Sequence, residues 1–191
     1  MHTTYTEDKT FDKIDFSQSP LSAGDYENCI FNHCNFSESV FSEISFIDCK
    51  FYNCNLSLAK FNKTVLRDIQ FKDCKMLGLR FDTCSAFGLS FSFDNCLLNH
   101  SSFYKTKIKK TVFKNCQLKE IDFTDCDLTS AAFDNCDLLN SIFDNSILEK
   151  ADLRTSYNYS IHPENNKIKK AKFSIPAVVG LLDKYNIEIE K

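Results

Sequence analysis

The chain has 191 residues, with 23 basic and 26 acidic side chains and a net charge of −3. That is enough polypeptide for one domain, without an overall charge that would recommend a nucleic acid as partner. Nineteen phenylalanines and ten cysteines, set against four glycines, three prolines and no tryptophan, exclude a disordered or collagen-like chain.

Residues 1–13 read as a polar lead-in that caps whatever follows. They hold no basic end followed by an apolar run, and no stretch of the chain reaches about 18 uninterrupted apolar residues. The expectation is a cytoplasmic protein that does not enter a membrane.

From Ile14 the chain repeats. Large apolar residues recur at every fifth position from Phe16 through Phe31, Phe51 and Phe71 to Phe91, sixteen centres in one phase. A slip of two residues within 86–93 resets the count at Phe93, and thirteen centres run through Phe113 and Phe133 to Leu153. Two residues before each centre stands an uncharged and mostly small residue, and all ten cysteines belong to this second class. A helix of 3.6 residues per turn cannot hold a five-residue step on one face, and a plain strand repeats at two. Apolar spacing of 2, 3, 2, 3 instead makes each pentapeptide one side of a coil: a pair two apart points inward, and the extra residue turns the corner.

Stacked every twenty residues, Phe31, Phe51, Phe71 and Phe91 are expected to form one interior column. Phe93, Phe113, Phe133 and Leu153 form a second, and Leu98, Leu118 and Leu138 a third. Cys34, Cys54 and Cys74 fall in one ladder and Cys96, Cys116 and Cys136 in another. Neighbours about 4.8 Å apart lie within reach of a disulfide. Parallel thiols in a crowded core are badly aimed for one, however, and there is no C-x-x-C motif, so the cysteines read as free, small apolar fillers. His33 and His100 fall at outward corners. The sequence shows no nucleophile–base pair, phosphate loop or metal-ligand spacing, so neither an enzyme nor a cofactor or metal is expected. A site hidden among surface Ser, Asp and His residues is the third-ranked reading.

Charge is banded: net −7 over residues 1–49, +9 over 50–119 and −7 over 120–160. The bland reading is that charges closed out of the core cluster by accident. The functional one is that the last band, with Asp122, Asp125, Asp127, Asp134, Asp137 and Asp144 beside Glu120, Glu149 and Asp152, faces a basic partner. Residues 154–191 read as a connector, a short α-helix and a tail. Ser174 is a plausible N-cap, and Ile175, Val178, Val179 and Leu182 are at helical spacing through about Tyr185. Such a helix either caps the tube or also joins it to a second copy.

The units FDNCDL at 133–138 and TDCDL at 124–128 resemble the pentapeptide-repeat family, whose unit is a small residue, Asp or Asn, Leu or Phe, a polar residue and a free position. Over 14–153 that resemblance implies an all-β, right-handed quadrilateral β-helix with four pentapeptides per coil and a little over seven coils. The stretches ADLRTSYNYSIHPENN at 151–166, KAKFS at 170–174 and GLLDKYNIEI at 180–189 resemble the ends of the quinolone-resistance (Qnr) and microcin-immunity branches. They imply a homodimer joined through C-terminal helices, and acidic coils that imitate duplex DNA on a type II topoisomerase. The alternative is a general protein–protein scaffold, with the +9 band also available to a partner.

Overall fold

A backbone that turns every five residues needs a corner residue that accepts positive φ. Here the residue two past most centres takes it, among them His33 (φ 52°), Leu58 (60°) and Lys150 (59°). Many of these corners are Asn or Asp, the non-glycine residues that adopt this region most readily. The computed structural model describes residues 4–190, and in it the chain winds as an all-β parallel solenoid of about seven coils.

Each coil has four five-residue segments. The first segments carry β1 (Thr4–Glu7), β3 (Gly24–Glu27), β5 (Ile44–Ile47) and β7 (Val65–Arg67), paired in parallel in that order. The second carry β2 (Thr10–Asp12), β4 (Ile30–Asn32), β6 (Lys50–Tyr52), β8 (Ile69–Lys72), β9 (Phe91–Asp94), β10 (Val112–Lys114) and β11 (Ala132–Asp134). The third and fourth are held by single bridges such as Asn35↔Asn55 and Val40↔Lys60. Every pair in the early coils joins residues twenty apart, so like stacks on like.

The interior is two ladders of rings and two of mixed residues. Phe11, Phe31, Phe51 and Phe71 stack face to face at 4.9, 4.7 and 5.2 Å. The next ring in the stack is Phe93, not Phe91: β8 meets β9 in the register Phe71↔Phe93, with centroids 5.3 Å apart. The stack then continues through Phe113 to Phe133 at 5.2 and 5.0 Å. The two columns expected from the sequence are therefore one. The slipped residues loop out over Cys84–Ser90, and Phe91 drops into the small-residue position opposite Ile69, its ring against Phe81, Phe93 and Phe103. The same closure joins the two cysteine ladders into one column of six, because the bridges Asn35↔Asn55, Asn55↔Lys75, Lys75↔Leu97, Leu97↔Gln117 and Gln117↔Asp137 run without a break beside it.

All ten cysteines are free, and nine are buried. Their position is a donor slot as well as a filler. Cys54 donates to Phe31 O at 3.4 Å and Cys74 to Phe51 O at 3.3 Å, each across one coil. Hydroxyls do the same with shorter bonds, Thr64 to Phe41 O and Ser146 to Phe123 O, both at 2.8 Å. Burial pushes the Cys49 and Cys126 thiols up to about 12, so they stay protonated in the core.

The solenoid does not stop at Leu153. Asp137↔Tyr157, Ile147↔Lys167 and Asp152↔Lys172 extend the ladder, and Ser156, Tyr159, Ile161 and Asn166 are buried. Much of the expected connector is one more coil, whose pattern is concealed by polar residues: Asn166 fills a donor slot, bonding Phe143 O at 2.9 Å.

The expected α-helix is absent among the described residues. Ile175 and Val178 are exposed, and Val178–Leu181 and Asp183–Tyr185 form two 3-10 turns that include Val179 and flank Leu182. An α-helix would give the carbonyl of Gly180 to Lys184, but here it accepts the N–H of Ile161 at 2.9 Å, capping the last coil. Glycine is required there, since a Cβ on Gly180 would lie 2.0 Å from Tyr159 O. With no helix, the expected joint between two copies is missing. Glu164 clamps this segment by accepting hydrogen bonds from Lys184 and Tyr185.

Phe71→Asp or Cys116→Asp, burying an unpaired carboxylate, is expected to abolish the cooperative thermal transition, at a cost of several kcal/mol. Lys72→Asp, on the outward side of the same strand, should leave that transition in place. Bonds from Lys184 and then Tyr185 hold the Glu164 carboxyl down at about 2, from 4.5. A depressed carboxyl contributes its full stability above its unfolded value and loses it as pH falls through the folded one. Limited proteolysis should thus cut the C-terminal segment faster as pH falls from 4.5 toward about 2, and Glu164→Gln, which has no carboxyl to titrate, should remove that acid dependence.

Candidate interaction surface

One position before each centre the side chain points outward, and where it is Asp or Asn it closes a turn on its own backbone. Asp122 accepts the N–H of Thr124 at 2.9 Å, Asp127 that of Thr129 at 3.1 Å and Asp137 that of Leu139 at 3.3 Å. Asn35 and Asn55 do the same in earlier coils, and the Asn55 amide also donates to Asn35 Oδ1 at 3.3 Å. Part of the acidic band therefore belongs to the corners of the coil.

The six candidate carboxylates do not share one side. Asp127 is on a first segment, Asp134 on a second and Asp137 on a third, while Asp122, Asp125 and Asp144 are on fourth segments of adjacent coils. Asp125 N–H donates to Asp144 O at 2.8 Å, and Asp122 bridges Ile142. Asp127 and Asp137 are only 9% and 8% exposed. Lys109 pairs with Asp127 at 3.1 Å and Lys119 with Asp137 at 3.2 Å, and Asn158 donates to Asp137 at 2.8 Å. Burial pushes the Asp127 carboxyl up, but bonds from Thr129 and Lys109 outweigh it and hold it below the ordinary value. Both side chains are committed to the coil. Asp134 is exposed and accepts Thr155 Oγ1 at 3.0 Å.

This leaves Asp122, Asp125 and Asp144 as a group with no ion pair among the described residues. All three are among the six carboxylates that the acidic band offers in the sequence. Their separation from Asp127 and Asp137 depends on which segment each residue occupies, and that follows from the twenty-residue coil.

The +9 band surrounds the middle coils. Lys50, Lys72 and Lys114 are on second segments, Lys75 on a third, Lys60, Lys63 and Lys105 on fourth segments and Lys107 and Lys110 on a first. None makes an ion pair among the described residues. His33 and His100 are exposed corners, as expected, and lie 3.8 Å from Asp12 and 3.1 Å from Glu120. No group of three or more His, Cys, Asp or Glu side chains among the described residues is arranged to hold a metal ion.

Replacing Asp127 by Ala should lower stability to urea by about 1 kcal/mol through loss of its turn bonds, whereas Asp125→Asn, which keeps a residue suited to the corner's positive φ, should stay within about 0.5 kcal/mol of the parent. Because the folded Asp127 carboxyl is depressed, its contribution is present above the unfolded value near 3.8 and fades as pH falls below it. The stability difference between the parent and Asp127→Asn should therefore shrink in acid.

Comparison with known proteins agrees with this architecture. A family model described as a pentapeptide repeat region matches residues 24–92 and 90–158. The solved structure of full-length QnrB1, a plasmid-mediated fluoroquinolone resistance protein, superposes with a TM-score of 0.57 at 16% identity, covering 96% of this chain and 100% of that one. HetL, a pentapeptide repeat protein involved in heterocyst differentiation regulation from Nostoc sp. strain PCC 7120, gives 0.51 at 14% identity, covering 87% and 86%. At these identities the likeness is one of fold. No curated protein sequence matches the chain.

Proposed function

The chain belongs to the pentapeptide-repeat family, the two matched stretches spanning most of its length, and from that premise we propose that it is a non-enzymatic interaction protein whose acidic coils imitate a DNA duplex. Its partner is the DNA-binding surface of a cytoplasmic type II topoisomerase, which it protects from quinolones or peptide toxins. In this reading the coils wind right-handed around four corners, giving a straight rod close to a duplex in form.

The carrying observation is charge density. Residues 120–160 fill two coils, about 10 Å of rod at ~4.8 Å per coil, with net charge −7. Counting Lys109, Lys119 and Lys172, which reach into the band at 3.1, 3.2 and 3.8 Å, leaves −4. That is one charge per ~2.5 Å of axis, against ~1.7 Å for double-stranded DNA. Asp122, Asp125 and Asp144 supply carboxylates that carry no ion pair, Asp122 also capping its own turn. The fold likeness to QnrB1 supports the same direction.

A second reading, a scaffold for an acidic protein, is favoured by the unpaired lysines of the middle coils. A supercoiling assay separates the two. At micromolar protein, purified bacterial gyrase should be inhibited, or rescued from a quinolone, and Asp122→Asn/Asp125→Asn/Asp144→Asn should lose the effect with folding intact. Lys50→Glu/Lys72→Glu/Lys114→Glu should retain it. No effect on gyrase at micromolar protein would overturn the topoisomerase reading.

A further inference from the structure

Among the described residues Lys107, like Val40 and Arg80, makes no backbone hydrogen bond to the coil before it, and at Lys107 a cleft opens beside the looped residues. Ser85 N–H bonds Thr64 O at 2.9 Å and Ser90 N–H bonds Leu66 O at 3.0 Å, so the looped residues are tied to the coil before them. The first segment of the following coil is tied only onward: Asp127 N–H to Thr106 O, Ile108 N–H to Asp127 O and Lys110 N–H to Thr129 O. The corresponding backward bond from Lys107 N–H has no counterpart among the described residues, although Asp127 and Ile147 both make theirs.

Beside the gap is a cleft of about 280 Å³. Its floor is apolar: Phe81, Ala86, Leu89 and the neutral thiol of Cys84, which burial pushes up. Cys84 is the one cysteine that is not fully buried. Tyr104, Lys105 and Lys107 stand at the rim. Asp82, also at the rim, is held by Arg80 through two bonds of 2.8 and 2.5 Å, which offsets its charge. Lys105 and Lys107 have no ion pair among the described residues. The cleft thus combines an apolar floor, two ammonium groups without an ion pair, that of Lys105 lying 4.7 Å from the Tyr104 ring centroid, and an unused backbone donor.

We propose that the cleft between the Cys84–Ser90 loop and the Tyr104–Lys107 corner binds a small aromatic carboxylate, with its ring on Ala86 and Leu89 and its carboxylate at Lys105, Lys107 and the Lys107 N–H. The volume, just under the about 300 Å³ at which pockets for drug-sized ligands start, limits the ligand to one ring with a short chain. A carboxylate is required because the free charges at the rim are positive and the unused backbone group is a donor. The site is independent of the acidic coils, and its occupancy needs no topoisomerase.

The test is titration of the full chain with 4-phenylbutyrate, followed by amide NMR. Saturable shifts confined to residues 84–89 and 104–107 are expected. Neutral 4-phenylbutanol and ring-free butyrate should each bind at least about tenfold more weakly, as should Lys105→Gln/Lys107→Gln, whose exposed positions leave the fold intact. Shifts scattered over the apolar C-terminal residues, equal binding of the alcohol, or undiminished binding by the lysine variant would each overturn the proposal. A second variant, Leu89→Asp, in the loop rather than the coil, should also weaken binding, and unchanged affinity would count against the ring's placement.

Discussion

Each coil is completed only by the next one. Backbone N–H and C=O groups of one turn pair with those of its neighbours, and this forces residues twenty apart into register. Everything else in the molecule depends on that register. Rings stack because identical positions stack, thiols and hydroxyls donate to carbonyls one coil away because the offset never changes, and charge is expelled because no inward position can hydrate it. Ring stacking then adds specificity: offset, nearly parallel rings at about 5 Å gain more than their area alone, and a shift of one residue would lose the whole column.

The repeat made the solenoid legible in the sequence because a five-residue period in bulk and a five-residue period in small residues cannot both be satisfied by a helix or a flat strand. What escaped was local chemistry. Asn166 reads as a break in the apolar pattern, yet it serves the same carbonyl-satisfying purpose as Ser146 one coil earlier, so the last coil was mistaken for a connector. Ile175, Val178, Val179 and Leu182 have helical spacing, but spacing does not reveal that Gly180 must give its carbonyl to Ile161. The column break at Phe91 was an arithmetic consequence of the slip. Restoring the register instead moves Phe91 into the small-residue slot, a rearrangement that a residue count cannot express.

The acidic band shows the same division. Its existence was plain from the sequence, but the roles of its members follow from their place in the pentapeptide. An Asp before a centre caps a turn, so Asp127 and Asp137 are acidic for reasons internal to the coil, and both attract a lysine from the preceding coil. Asp144 caps no turn, and Asp125, although its backbone takes the corner's positive φ, leaves its carboxylate without a turn bond and free to act outward. The net field of the rod is thus partly a by-product of corner stereochemistry, and a pentapeptide solenoid acquires duplex-like charge density at little extra cost in folding.

The same constraint decides where such a protein can hold a small ligand. A regular coil is filled inside and pairs most of its backbone with its neighbours. At the slip a cleft and an unused backbone donor meet. Two extra residues before Phe91 remove one large centre, leave the Phe87 ring 79% exposed with the Arg67 guanidinium 5.7 Å from its centroid, and free backbone groups on the following coil. Phe91 refills the core from the adjacent corner, so the interior stays packed while the surface opens. Because the repair is internal, the loop is free of the register that fixes every other corner. It is therefore the part of the rod on which recognition chemistry can change without disturbing the stack.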